Sequence, residues 1–386
     1  MSTDPNKKSL TRVTCAQHVT PYLRAEVEAL GFEIQDEDIA GVHIGATLVD
    51  CLKLNLNLHT AQHVLWQLTK FRCPTPKALY TQVAAYAWEE LIPNDSYVSI
   101  TSNVDNPKIT NSLYPTRVMK DAIVDRIAEK TGARPDSGPD KAKIVVHLYW
   151  KGDRAWVYLN TTGQWLADRG YRKLPHHAPM RETLAAAVLL AAGYDGTTPL
   201  VNPMCGAGTL AIEAALIASG RAPGLLRSNY SFMHTLIDLD EPWAAARRDA
   251  HSSNKKDAPP PIIATDHDPT AIDAARRNAR VAGVEQLIEF VECDFADTPI
   301  PDGPGHVILN PAYGERMGEK EQLAVDYERI GDFFKQSCAG YRGHVFTGSR
   351  ELSKKIGLKT SRRQPFMNAQ IECRLLSYEL YTGTTS

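Results

Sequence analysis

From about residue 170 the sequence alternates short apolar segments with stretches of helical spacing, and few architectures accept that pattern. The apolar segments are "PLV" (199–201), "IIA" (262–264), "IEFV" (288–291), "HVIL" (306–309), "HVFT" (344–347) and the longer, alternating "IECRLLSYELY" (371–381). Most are separated by helical patterns: "GTLAIEAALIAS", "PTAIDAARRNARVAG" and "QLAVDYERIGDFFKQSC". An α/β fold follows, with a doubly wound, largely parallel sheet whose ligands bind beyond the carboxyl ends of the strands. Only the short basic stretch "SKKIGLKTSRRQPF" joins the last two segments. One of them should therefore run antiparallel.

The first 170 residues read differently. "TPYLRAEVEALG" places Leu23, Val27 and Leu30 on one helical face before a glycine stop, and "GVHIGATL" alternates as a strand does. "TAQHVLWQLTKF" stays ambiguous, since Ala61, Val64, Leu65 and Leu68 suit a helix while a strand of that length is also possible. Further on, Leu79, Val83, Tyr86 and Trp88 pattern a helix ending before Pro93, and "TRVMKDAIVDRIAEKTG" predicts a helix with Val118, Ala122, Ile123 and Ile127 inside. "KIVVHLYW" and "AWVYLN" predict a hairpin.

A chain of 386 residues exceeds what one hydrophobic core usually serves. Two or three domains are expected. The polar start "MSTDPNKKSLTR" lacks a signal-type apolar core, and the longest apolar run, at 184–194, is too short to span a bilayer, so a cytoplasmic protein with no membrane partner is expected. The seven cysteines, at 15, 51, 73, 205, 293, 338 and 373, form no Cys-x-x-Cys pair, which predicts reduced thiols and no metal site. A net charge of −2 gives no global case for nucleic acid. A local basic face could still supply one.

The chemistry is concentrated at four strand ends. "LVNPMCGAGTLAIEAA" puts Gly206 and Gly208 in the turn between the first strand and a helix, where the backbone can approach a ligand and free amides point at it. It is neither G-x-G-x-x-G nor a P-loop, which weakens nicotinamide and nucleoside triphosphate readings. Asp266 follows the second strand, where a carboxylate can accept both hydroxyls of a ribose, and Asp294 follows the third, within reach of an adenine amine. Either aspartate alone would more simply cap a turn or helix, as Asp268 should before Pro269. Their order is what points to an adenosine-bearing cofactor. After the fourth strand comes "NPAYGER" (310–316). An amine conjugated to a base ring is a poor nucleophile, and methylating it requires acceptors for both N–H groups and a surface that clamps the ring. Asn310 offers a side-chain carbonyl, Pro311 a backbone carbonyl and Tyr313 a stacking face. None of the twelve histidines sits in a catalytic motif.

With these motifs in place, the chain resembles the bacterial guanine-N2 RNA methyltransferases with a THUMP domain, of the kind forming the N-terminal half of RlmL. Residues 202–209, "NPMCGAGT", are similar to the family's Asp-Pro-x-Cys-Gly-x-Gly-Thr, and "NPAYGER" to its Asn-Pro-Pro-Tyr-Gly-Glu-Arg. The stretch at 159–194 looks like the family's join between THUMP and catalytic domains, "TRVMKDAIVDRI" like its THUMP helix, and "NLNLHTAQHVLWQLTKF" like its N-terminal domain, which would make residues 62–71 partly a strand. The resemblance implies a ferredoxin-like domain over 1–70, a THUMP domain over 71–165 and a Rossmann-like class I methyltransferase domain over 166–386. It implies S-adenosyl-L-methionine as cofactor: Asn202, Pro203, Met204, Gly206, Gly208 and Thr209 around its methionine part, Asp266 on the ribose with His267 at the rim, and Asp294 with Phe295 at the adenine. Asn310, Pro311 and Tyr313 would hold the guanine, and Arg117, Lys120, Arg169, Arg172 and Lys173 become candidates for contact with structured RNA. Two positions depart from the pattern, Asn202 for aspartate and Ala312 for the second proline.

Residues 341–374 carry Arg342, Arg350, Lys354, Lys355, Lys359, Arg362, Arg363 and Arg374 against Glu351 and Glu372. Such a run is ordinarily a solvated loop. Beside the last strands it could also hold phosphates, through Arg362 and Arg363 above all. Three functions remain open: a guanine-N2 methyltransferase on 23S rRNA, with tRNA as the nearer variant; an adenine-N6 methyltransferase; and an RNA-binding assembly protein that has lost activity. No DNA partner is expected, and the oligomeric state is not legible.

Overall fold

The computed structural model describes residues 4–107, 109, 111, 113–172, 180–253, 258–313 and 320–381. The chain divides into two compact units, one of residues 1–15, 23–166 and 227–250, the other of residues 16–22, 167–226 and 251–386.

The strands of the first unit are β1 (Ser9–Thr14), β2 (Ile34–Asp38), β3 (Gly41–Ala46), β4 (His63–Arg72), β5 (Tyr97–Asp105), β6 (Asp136–Ser137), β7 (Ile144–Lys151) and β8 (Arg154–Asn160). They form a single sheet in the order β2-β3-β1-β4-β8-β7-β5-β6. The two α/β regions expected ahead of residue 170 thus share one sheet, sewn together by the antiparallel β4–β8 pair. Helices α1 (Thr20–Ala29), α2 (Leu48–Asn57), α3 (Pro76–Ala84) and α4 (Leu113–Thr131) connect the strands. A reciprocal cap starts α2: Asp50 N–H donates to Thr47 Oγ1 at 3.0 Å and Thr47 N–H to Asp50 Oδ2 at 2.8 Å.

The ambiguous stretch at 60–71 becomes strand β4 from His63 onward. Its register shifts between Gln67 and Thr69, so one extra residue breaks the period of two and imitates helical spacing. In α4 the buried positions are Pro115, Met119, Ala122, Ile123, Val124 and Ile127, while Val118 is only half-buried. The expected helix through Trp88 stops earlier, at Ala84, and a single 3-10 turn carries Trp88 into the core. Among the described residues no helix is long and apolar enough to cross a membrane.

The second unit holds β9 (Leu200–Pro203), β10 (Ile262–Asp266), β11 (Glu289–Glu292), β12 (His306–Leu309), β13 (Arg342–Thr347), β14 (Arg362–Asn368) and β15 (Ile371–Glu379). The helices from here on are α5 (Glu182–Ala192), α6 (Thr209–Ala218), α7 (Asp240–Ser252), α8 (Pro269–Val281), α9 (Lys320–Gln336) and α10 (Arg350–Lys355), of which α7 falls mostly in the first unit. The strand order is β11-β10-β9-β12-β13-β15-β14. The first five are parallel, and β15 runs antiparallel to both β13 and β14. The stretch read as a plain basic connection contains α10 and β14. Val201, Ile263, Val307, Leu309 and Val345 face Tyr327, Ile330 and Phe334 of α9. Leu200, Ile262 and Ile308 alternate with them and are equally buried, so both faces of these strands are covered.

Candidate functional site

The strand order reverses at β9, because the chain leaves it to β10 and β11 on one side and returns to β12 on the other. Crevices form at such points, outside the carboxyl ends of the strands. β9 runs into a turn in which Met204, Gly206 and Gly208 have φ of 54°, 53° and 79°. A methionine in that region carries about 1 kcal/mol or more of backbone strain, which the surroundings must hold in place. They do so through hydrogen bonds to the turn: Cys205 N–H donates to Thr265 O at 2.9 Å, Gly206 N–H to Asp266 Oδ2 at 2.9 Å, and Asn278 Nδ2 to Ala207 O at 3.2 Å. The two glycines serve different ends. A Cβ on Gly208 would come within 2.8 Å of Ala275, so Gly208 lets α6 approach α8, whereas a Cβ on Gly206 would meet nothing within 4 Å. The backbone at Gly206 faces open space that a ligand can occupy.

Asp266 is 8% exposed, and both its oxygens already accept backbone N–H groups, Oδ2 from Gly206 and Oδ1 from Asp268 at 3.1 Å. Each oxygen keeps a further lone pair for a ligand hydroxyl. His267 lies outside, its side chain 82% exposed and Nδ1 3.5 Å from Asp266 Oδ1. Asp268 caps α8 as expected, accepting from Thr270 N–H at 2.8 Å. Asp294 caps its own short turn through Ala296 N–H and pairs with Arg329 of α9 at 2.7 Å. Burial raises its carboxyl, but Arg329 and the Ala296 amide outweigh that and hold it below the usual range. The same guanidinium lies 4.7 Å from the centroid of Phe295. Arg329 was not anticipated; it anchors both residues expected at an adenine.

Asn202 and Asn310 stand on the neighbouring strand ends β9 and β12. Asn202 is 1% exposed, and its Nδ2 donates to Ile308 O at 2.8 Å across the strand pair. An aspartate could not make that bond, so asparagine at 202 ties β9 to β12. Its Oδ1 is buried with no hydrogen-bond partner, and so is the Oδ1 of Asn310. Buried acceptors left unpaired cost about 1–3 kcal/mol each. Two of them, at the reversal point of one sheet, can each accept an N–H or O–H from a ligand.

Pro311 is buried and Ala312 exposed, so the position that departs from the double proline contributes no packing that a larger ring would need to replace. The Tyr313 ring is half-buried. Its hydroxyl accepts from Asn368 Nδ2 at 2.9 Å and from Cys373 Sγ at 3.6 Å, and burial raises its pKa, keeping it protonated. The ring lies so close to Gly348 that a Cβ there would sit 3.0 Å from it. Asn368, Cys373 and Gly348 therefore set the plane of Tyr313. Gly314, Glu315 and Arg316 lie outside the described residues.

The expected RNA contacts separate into groups. Arg169 is fully buried and pairs with Glu213 of α6 at 3.4 Å, which Tyr171 also reaches at 3.1 Å. It cannot touch RNA; it fastens the segment entering this unit to the helix that carries the glycine turn. Arg172 is engaged inward as well, donating to Met180 O at 2.6 Å and Thr209 Oγ1 at 3.2 Å and pairing with Glu182 at 3.2 Å. Burial pushes the Glu182 carboxyl up to about 7 against the pull of Arg172. Arg117 is exposed and Lys120 half-buried on α4, and Lys173 lies outside the described residues. Arg350, Lys354, Arg363 and Arg374 line a cavity of about 630 Å³ with Glu372 and Gly348. Through Gly348 this basin adjoins Tyr313. Arg362, one residue away on β14, is not part of its lining.

Family models match the chain in three places: an RlmL ferredoxin-like domain over 12–65, a THUMP domain over 74–160, and an RMKL-like methyltransferase domain over 169–377. A ribosomal RNA large subunit methyltransferase K/L of Syntrophotalea carbinolica is 35% identical over 95% of this chain and 53% of its own length. A protein of Synechocystis, provisionally assigned as an RNA methyltransferase, is 31% identical over 95% of this chain and 96% of its own. The chain thus spans about half the length of the K/L relatives it matches and nearly all of the Synechocystis one. A provisionally assigned methyltransferase solved with SAH superposes with a TM-score of 0.86 at 25% identity, covering 98% of this chain and all of that one. The chain belongs to the RMKL-like methyltransferase family, its methyltransferase domain preceded by ferredoxin-like and THUMP domains.

Proposed function

We propose that this chain is a cytoplasmic, S-adenosylmethionine-dependent RNA methyltransferase whose target is the exocyclic N2 amine of a guanine in structured RNA, 23S rRNA first and tRNA second. The observation that carries the reading is the pair of buried, unpartnered amide oxygens, Asn202 Oδ1 and Asn310 Oδ1, at adjacent strand ends. The residues fit the cofactor. Gly206 opens onto free space, Asn202 Oδ1 and the start of α6 at Thr209 suit the amino-acid end, Asp266 the ribose, and Asp294 with Phe295 the adenine, Pro203, Met204 and His267 completing the surround. When bound, it supplies an electrophilic methyl group on a sulfonium sulfur.

The chain's own residues prepare the amine. Asn310 Oδ1 accepts one of its N–H groups and the Pro311 carbonyl the other, which draws the nitrogen lone pair out of conjugation with the ring. Tyr313, fixed by Asn368 and Gly348, sets the plane of the base. Once the nitrogen carries a fourth bond its proton is acidic and can leave to solvent, so no histidine base is required. The basic basin beside Tyr313, with Arg363 and Arg374, neutralises phosphates next to the target, and Arg117 and Lys120 add contacts on α4.

The test is incubation of the full chain with methyl-labelled cofactor and unmodified 23S rRNA or tRNA. Label should enter rRNA. Label in neither, together with no cofactor binding by calorimetry, would remove the enzymatic reading.

A further inference from the structure

The eight-stranded sheet has two unlike faces. Toward one face β4, β7 and β8 send Val64, Val146, Leu148, Val157 and Leu159, all fully buried. Toward the other they send His63, His147, Tyr149, Tyr158 and Asn160, and these line a cavity of about 340 Å³. A sheet face that only needed solvent would not concentrate imidazoles, phenols and an amide around one recess. Arg12 of β1 and Lys141 also line it, and no carboxylate does among the described residues. Arg12 is tethered to Asp38 at 2.7 Å, whereas Lys141 has no ion pair among the described residues.

The polar groups are held in fixed orientations. Asn160 Oδ1 accepts from Thr162 and Gly163 N–H at 3.1 and 3.2 Å, which turns its Nδ2 toward His63 Nδ1 at 3.2 Å. An Nδ1 that accepts puts the proton of a neutral imidazole on Nε2, where it is a donor. His147 Nδ1 hydrogen-bonds Thr101 Oγ1 at 2.8 Å, which holds the orientation of its ring. Burial holds both rings neutral, His63 down to about 3 and His147 to about 4. Trp165 packs edge-on against His63 at 5.8 Å. The cavity thus combines flat aromatic walls, oriented hydrogen-bonding groups and, besides the Asp38-paired Arg12, the cation of Lys141, which matches the base and phosphate of a nucleotide.

We infer that this cavity takes one unpaired ribonucleotide of an RNA strand, separately from the base that the methyltransferase unit would methylate. The inference rests on the chain being an RNA-binding enzyme but not on which base or position it modifies. A base must leave its helix to stack here, so paired RNA is excluded and single-stranded or bulged RNA selected.

The test uses the full chain and fluorescence anisotropy with 5′-labelled hexaribonucleotides of A, C, U and mixed sequence, for the wild type, Lys141→Gln and Tyr149→Ala. Both variants should weaken the best-bound hexamer about fivefold or more. Calorimetric affinity for S-adenosylhomocysteine, read as a control on folding, should not move. Unlabelled hexamer should displace the probe, and ribonucleoside monophosphates at equal concentration should not. Unchanged hexamer affinity in both variants, or displacement by a monophosphate alone, overturns the inference. Methyl transfer is not measured, so a wrong guanine assignment would leave this result intact.

Discussion

Replacing Asn310 with alanine should separate stability from turnover. Its Oδ1 is buried without a partner, so the folded protein carries an unsatisfied acceptor worth about 1–3 kcal/mol of lost hydration. Alanine removes that penalty and forfeits the packing of one short side chain, roughly 1 kcal/mol. The net is roughly 0–2 kcal/mol in favour of the variant. Urea unfolding should therefore place the variant level with the wild type or up to about 2 kcal/mol above it. Turnover should behave otherwise, because a preorganised group aimed at the reacting amine acts only as charge develops there; its removal should slow single-turnover methyl transfer roughly 100- to 1,000-fold, about 2.7–4 kcal/mol. Affinity for S-adenosylhomocysteine, followed by calorimetry, should stay nearly constant. A variant that unfolds about 2 kcal/mol more easily and keeps most of its rate would show Asn310 to be a structural turn residue.

Gly348→Ala pushes a methyl group to within 3.0 Å of the Tyr313 ring, so kcat should fall about tenfold or more while cofactor affinity holds; an unchanged rate would mean the ring plane does not matter. Arg169→Met strands Glu213 in the core and should cost about 3–5 kcal/mol in urea unfolding, with the folded fraction binding RNA normally. Arg363→Gln should weaken RNA binding and flatten its salt dependence by about one unit, while Arg362→Gln, outside the basin, should do less; equal effects would dissolve the basin as a site. Burial holds His344 at about 3 and His306 at about 4, both below the 6.5 of a free imidazole. The unfolded chain therefore binds more protons between those values, and stability present above about pH 6.5 should be lost as pH falls toward 4. Urea midpoints measured from pH 7.5 to 5 check this, and a flat profile would contradict it.

In the parallel half of the second sheet, β9, β10, β12 and β13 were legible because each is a short apolar run buried on both faces, whereas the edge strand β11 is only partly buried. β14 was not legible. Asn368 pairs with Ile371, so β14 and β15 are joined by Ala369 and Gln370 alone, with Ala369 at φ 55°. Two-residue hairpins usually announce themselves with Gly or Asn at such a position, and this one does not. Missing that hairpin meant missing Asn368 and Cys373, the anchors of Tyr313. The proposed cofactor residues could be picked out because they follow strand ends in order, yet Arg329, which braces two of them, lies on a helix far along the chain. The resemblance misplaced Arg169: an arginine in a join between domains looks available for RNA until its buried partner, Glu213, is seen across the fold. β4 shows the same limit in periodicity, since one bulge residue was enough to blur strand into helix.

Nucleoside analysis of unmodified 23S rRNA after incubation with the full chain and S-adenosylmethionine tests the central proposal most directly. A clamp built from Asn310 Oδ1, the Pro311 carbonyl and the braced Tyr313 ring predicts N2-methylguanosine as the product, lost in Asn310→Ala. N6-methyladenosine in its place, or N2-methylguanosine formed as fast by Asn310→Ala, would contradict it.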